Sequence, residues 1–219
     1  MSRLGTSFVT LAIFFGAGCK SPTAKTIALW DGRTFAGWEG DTAQTWSLAD
    51  DAIVGGSLLT KVPRNEFLAT ERNYTNFVLR LEFKLEGDTA KGMVNSGVQF
   101  HSQRVPGDSE MAGYQADLGD PNWWGSLYDE SRRNKTLAPS DMATIGPVLR
   151  RNDWNTYEVK AVNGHIQTWL NGIAGVDYIE PDPAIPQWGR IALQIHGGGP
   201  ARVSFRRITL DERPSLNVR

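Results

Sequence analysis

From Phe77 to Leu85 the chain alternates without a break, with Leu79, Leu81, Phe83 and Leu85 on one parity and Arg80, Glu82 and Lys84 on the other. A β-strand places successive side chains on opposite faces, so this segment is a strand with one buried face and one wetted face. Shorter segments repeat the pattern. Thr156 to Val162 and His165 to Leu170 flank Asn163-Gly164, a dipeptide that tolerates both positive-φ positions of a tight hairpin turn, and Asn171-Gly172 supplies a second such turn. Val203 to Leu210 is a further β-type run. No amphipathic helical window exceeds about three turns, although Pro63 to Phe67 and Pro139 to Met142 suit single helical turns. Many strands, little helix and 219 residues predict a single all-β domain, a two-sheet antiparallel β-sandwich or jelly roll.

Three of the alternating segments carry unusual polar rows. Gly97 to His101 places Gln99 and His101 on one parity, Tyr114 to Leu118 places Gln115 and Asp117, and Ile191 to His196 places Gln194 and His196. A merely wetted sheet would use Lys, Glu and Thr. Amides, imidazoles and a carboxylate on neighbouring strands offer neutral hydrogen-bond partners suited to a hydroxyl-rich ligand. Trp169 shares polar parity with Gln167 and would add a flat face for a sugar ring to stack on. Each of these residues taken alone also fits a satisfied core position, and core packing is the commoner use of a Trp.

The termini carry a different signal. Arg3, an apolar stretch from Leu4 to Phe15 and the small residues Gly16-Ala17-Gly18 precede Cys19, the only cysteine. The run is shorter than the roughly 20 apolar residues of a membrane-spanning helix. It is similar to a bacterial lipoprotein signal, predicting a signal peptide over 1–18, lipidation at Cys19 and a tether over 19–26. The domain is then expected over 27–212 and a tail over 213–219. An ordinary secretory signal cut near the same place is the alternative, and either predicts an exported protein, with the lipid anchor placing it at the cell envelope. With one cysteine no internal disulfide is available.

Charge and motif content narrow the chemistry. A net charge of -1 with no basic run beyond paired arginines argues against a nucleic-acid partner. His101, Asp117 and His196 would make a two-histidine-one-carboxylate set for a divalent metal, but no short-range ligand spacing supports it and no metal ligand is assigned. A conventional glycosidase needs two carboxylates about the bond, for which Asp117 with Glu130 or Asp129 would serve. No Gly-x-Ser-x-Gly is present. From Asp120 to Leu149 the strand pattern gives way to an aromatic and charged insertion, expected to form a wall or lid beside the polar strands.

Several pieces resemble, in order, the 3-keto-disaccharide hydrolase domain family of bacterial secreted proteins. They are Leu29 to Trp38, Asn95 to Phe100, Gly113 to Gly119, Trp124 to Glu130, Trp154 to Val159, Thr168 to Gly172 and Gly189 to Gln194, within a span from Leu29 to Leu210. The resemblance implies a concanavalin A-like sandwich acting on glycosides whose 3-hydroxyl has become a ketone. Such a ketone acidifies the C2 proton, so a single base can start an elimination that water addition completes as a net hydrolysis. On this basis His101 or Asp117 is expected as the base, with His196 and Arg132 polarising the ketone. Gln99, Gln115 and Gln194 are expected to hold hydroxyls, and Trp124, Tyr128, Glu130 and Trp169 to line the sugar site. Many relatives carry Glu and then Gln where this chain has Gln115 and Asp117. A non-catalytic carbohydrate-binding module on the cell envelope is the alternative, because fold alone does not fix function.

Overall fold

A computed structural model describes residues 25–213. The elements are β1 (Lys25–Ala28), β2 (Trp38–Glu39), β3 (Trp46–Ala49), β4 (Ala52–Gly56), β5 (Glu66–Thr70), β6 (Phe77–Gly87), β7 (Asn95–Arg104) and β8 (Met111–Gly119). They continue with β9 (Leu127–Glu130), β10 (Lys135–Ala138), α1 (Met142–Ile145), β11 (Asn155–Val162), β12 (His165–Leu170), β13 (Ile173–Ile179), β14 (Arg190–Ile195) and β15 (Ala201–Glu212). The first sheet runs β13-β12-β11-β6-β15-β4-β3, with β1 also joined to β15; the second runs β10-β9-β8-β7-β14-β5-β2. Antiparallel neighbours are found throughout both, as expected of an all-β sandwich.

The alternation of β6 is realised directly, with Leu79, Phe83 and Leu85 buried and Arg80 exposed. Across the interior they meet Val98, Leu118 and Leu193 of the second sheet in one apolar core. Each such side chain contributes roughly 1.5–3 kcal/mol, which holds the sheets face to face. The wetted row forms cross-strand ion pairs, Arg80 with Glu158 and Asp211, and Arg206 with Glu82. Asn163 and Gly164 adopt φ of 51° and 78°, and Asn171 and Gly172 φ of 50° and 81°, so both dipeptides make the expected tight turns. The second of them leads into β13 at the edge of the first sheet.

Four local details differ from expectation. Pro63 to Phe67 is not a helical turn but runs extended into β5, because Phe67, Leu68 and Ala69 are buried on both faces between β14 and β2. The helical turn near Pro139 starts later, at Met142, where the Asp141 side chain accepts from the Ala143 amide at 2.9 Å. The insertion after Asp120 is ordered: β9 and β10 extend the second sheet beyond β8. β1 begins at Lys25, two residues ahead of the expected domain start. The signal segment 1–18, Cys19, the tether up to residue 24 and the tail from 214 lie outside the described residues.

Candidate functional site

Cross-strand register assembles the polar face. Gln99 on β7 pairs with Gln115 on β8, Gly97 pairs with Asp117, and on the other side of β7 Gly97 pairs with Gln194 of β14. Gln115 pairs in turn with Tyr128 of β9, and Tyr128 with Thr136 of β10. Paired residues of antiparallel strands project to the same side, so these side chains share the outer face of the second sheet. Asn95 belongs to the same parity of β7 and joins them.

The amides are organised around Asp117. The Ser102 hydroxyl donates to Gln99 Oε1 at 2.7 Å, Gln99 Nε2 to Gln115 Oε1 at 3.3 Å, and Gln115 Nε2 to Asp117 Oδ1 at 3.3 Å. Because Gln115 accepts through its oxygen, only its NH₂ is left to face Asp117. Asn95 Nδ2 at 3.1 Å and the Leu118 amide at 3.2 Å also donate to Oδ1, while no donor among the described residues reaches Oδ2. Burial pushes the Asp117 carboxyl up to about 7 against the opposing pull of these donors. Glu130 is also pushed to about 7, by burial first and then by the negative charges of Glu110 and Asp117; its one amide donor is Gln194 Nε2 at 3.3 Å.

Both carboxylates line a cavity of about 250 Å³. Its walls also include Tyr128, Trp123, Thr136, His196 and Met93. Tyr128 is pushed above its ordinary value by burial and by the neighbouring carboxylates, and therefore keeps its proton as a hydrogen-bond donor. His196 Nδ1 lies 2.5 Å from the Gly197 carbonyl oxygen. A carbonyl can only accept, so Nδ1 carries a proton and Nε2 is the ring nitrogen left for a ligand in the cavity. The insertion does supply a wall of the site, through Trp123, Tyr128, Glu130 and Thr136.

Other expected site residues stand elsewhere. His101 adopts φ of 47° at a register shift between Phe100 and Gln103, which turns its ring from the polar face into the core. There it packs against Phe77, Phe100 and Tyr114, and its Nε2 lies 2.7 Å from the Thr75 carbonyl. Burial lowers its pKa to about 4, so it is neutral and inaccessible to a substrate in the cavity. The metal set of His101, Asp117 and His196 is therefore not assembled, and the described residues contain no group of three metal-binding side chains.

Arg132 also lies on the core side, donating to buried Asp129 at 2.8 Å and stacking 4.5 Å from the Tyr114 ring centroid. Asp129 is shared with Arg133, which also pairs with Glu180. Trp124 is a core residue stacked on Phe83, and Trp169 sits on the outer face of the first sheet beside Glu158 and Arg80. Gln99 and Gln194 are fully buried behind the cavity, where they orient Gln115 and Glu130. Asn95, Trp123, Thr136 and Met93 were not singled out from sequence. Asn95 alone had a signal, its shared parity with Gln99.

Gly97 is what lets this packing close. A Cβ added there would lie 2.6 Å from Gln115 Cγ, so a side chain at 97 displaces the amide that donates to Asp117. Gly97→Ala is expected to destabilise the fold by about 1–3 kcal/mol in urea unfolding and to raise the Asp117 pKa in an activity–pH profile. An unchanged profile would mean that the Gln115 amide does not tune the carboxylate.

The sequence matches the 3-keto-alpha-glucoside-1,2-lyase-like domain family over residues 25–211. No curated protein matches the chain significantly. Among solved structures, a candidate glycosyl hydrolase from Parabacteroides distasonis ATCC 8503 has a TM-score of 0.62 at 19% identity, covering 86% of this chain and 94% of its own. The carbohydrate binding module CBM66 from Bacillus subtilis has a TM-score of 0.62 at 14% identity, covering 80% of this chain and 96% of its own. The Bacillus licheniformis beta-glucanase has a TM-score of 0.54 at 11% identity, covering 89% of this chain and all of its own. At these identities the likeness is one of fold, the lectin- and glucanase-like sandwich expected from sequence.

Proposed function

Because the chain belongs to the 3-keto-alpha-glucoside-1,2-lyase-like domain family, we propose that it is a carbohydrate-active enzyme cleaving 3-keto-glycosides, including 3-keto-disaccharides, in the Asp117–Glu130 cavity. The observation that carries this reading is the unequal solvation of two carboxyls that both titrate near neutrality: Asp117 receives three donors and Glu130 one. We assign the base to Asp117, where three donors stabilise the charge, and the acid to Glu130, where one does. One fold site then presents a base and an acid together at pH 7.

The ketone at C3 makes the C2 proton acidic enough for a carboxylate to remove. Asp117 takes that proton through Oδ2, and the C–H electron pair moves into a C2–C3 enolate whose oxygen accepts from the Tyr128 hydroxyl. As the C3 carbonyl re-forms, C1=C2 forms, the C1–O bond breaks and Glu130 protonates the departing oxygen. Water addition runs the sequence backwards: Glu130, now a carboxylate, takes a proton from the water attacking C1, and Asp117 returns its proton to C2. His196 Nε2 hydrogen-bonds a sugar hydroxyl. We place the enzyme outside the cytoplasm, anchored through a lipid at Cys19.

Purified protein is expected to release the aglycone from a 3-keto-glucoside and leave the unoxidised glucoside intact. Release from both would identify an ordinary glycosidase using the same two carboxyls. Binding without turnover of either would identify a binding module, a reading favoured by the likeness in fold to CBM66. A parallel assay with chelator tests for a metal requirement.

A further inference from the structure

A second, larger cleft of about 750 Å³ opens beside the site cavity, and the two share Met93 and Trp123 in their walls. The apolar part of its lining is Leu85, Val94, Trp124 and Pro121 together with those two residues. Asp120, Asp88 and Arg151 of the same lining already have partners. Asp120 Oδ1 accepts from Trp124 Nε1 at 3.1 Å and pairs with Arg151. Asp88 accepts from the Ala90 amide at 3.0 Å and lies 3.5 Å from Lys91 Nζ. The Arg151 guanidinium is further held over the Trp124 ring, 5.7 Å from its centroid.

A Cβ on Gly199 would lie 2.1 Å from the Met93 carbonyl oxygen, so the β6–β7 connection rests directly on the segment that follows His196.

We propose that this cleft is the leaving-group subsite and that it takes an aromatic aglycone in preference to a second sugar. The inference rests on the reaction proposed above, since the substituent on C1 must project from the cavity and the cleft is contiguous with it. The ligand class follows from the lining. A second pyranose carries hydroxyls that would lose water against Leu85, Val94 and the indoles, and the two carboxylates of the lining are already engaged by Arg151, Trp124 and Lys91. A planar aromatic ring buries its faces against Trp123 and Pro121 without that penalty.

The test compares 3-keto-glucosides with similar alcohol leaving groups, methyl and 2-phenylethyl, with a 3-keto-disaccharide as the third substrate. The 2-phenylethyl compound is expected to have a kcat/KM roughly 10-fold above the other two. Thr89→Trp, at an exposed position of the cleft lining outside the catalytic cavity, fills the cleft and is expected to abolish that advantage while the methyl substrate keeps its rate. Preference for the disaccharide, or an equal effect of Thr89→Trp on all three, overturns the proposal. Calorimetric titration with unoxidised 2-phenylethyl glucoside reads the cleft independently of turnover. Binding that Thr89→Trp removes upholds the aromatic site even if no keto-glycoside is cleaved, an outcome that would overturn the reaction alone, whereas absence of binding overturns the site.

Discussion

Asp117→Asn is expected to lower kcat/KM on 3-keto-glucosides by about 10²–10⁴-fold with the fold intact. An amide keeps an oxygen to accept from Asn95, Gln115 and Leu118 but cannot take the C2 proton. Wash-in of solvent deuterium at C2 should be lost in parallel, which a merely structural role would not produce. The same substitution should change stability in the opposite direction. The folded-state pKa of Asp117 is about 7 against an ordinary 3.8. The native state therefore holds a proton that the unfolded chain releases between these values, and stability falls as pH rises from about 4 to about 7. Asparagine carries no such dependence. From pH 4 to pH 8 the variant should gain on the parent by up to roughly 4 kcal/mol in urea unfolding. An unaltered rate would remove Asp117 from the mechanism, and a constant stability difference would mean that its carboxyl is not held protonated by burial.

Glu130→Gln is expected to lower kcat/KM for alkyl 3-keto-glycosides by about 10²-fold or more, since the departing alkoxide then finds no acid. The dependence on leaving group distinguishes this role from a structural one. A 4-nitrophenyl 3-keto-glucoside, whose leaving group needs no proton, should lose far less. The parent's activity should pass through a maximum near pH 7, falling on the acid side as Asp117 is protonated and on the alkaline side as Glu130 ionises. Glu130→Gln should remove the alkaline limb and keep the acid one. Equal losses for both leaving groups would assign Glu130 to positioning, through its contact with Gln194.

Much of the fold was legible because strand periodicity is a local property. The alternation from Phe77 to Leu85, the two Asn-Gly turns and the run from Val203 to Leu210 each dictate a strand or hairpin from a few neighbouring residues. The same periodicity set Gln99, Gln115, Asp117 and Gln194 on one parity, and the structure keeps them on one face. Asp129 and Glu130 show both the strength and the limit of such reasoning. Adjacent in sequence, they must point to opposite faces, but sequence alone did not show which carboxyl reaches the cavity and which is consumed by Arg132 and Arg133.

The sequence by itself determined a sandwich of alternating strands and a row of amides around a carboxylate. Tertiary structure decided which of those groups a ligand can reach. A one-residue irregularity after Phe100 was enough to send His101 into the core, because inserting a residue inverts every face that follows it. Trp169 obeys its parity, but the sheet that carries it turns that face away from the site. Gln99 obeys its parity too, and is buried behind Gln115 so that it orients the site without lining it. Parity fixes the side of a strand, whereas register, bulges and the covering loops are contacts between residues distant in sequence, and those contacts placed Asp117 and Glu130 in one cavity.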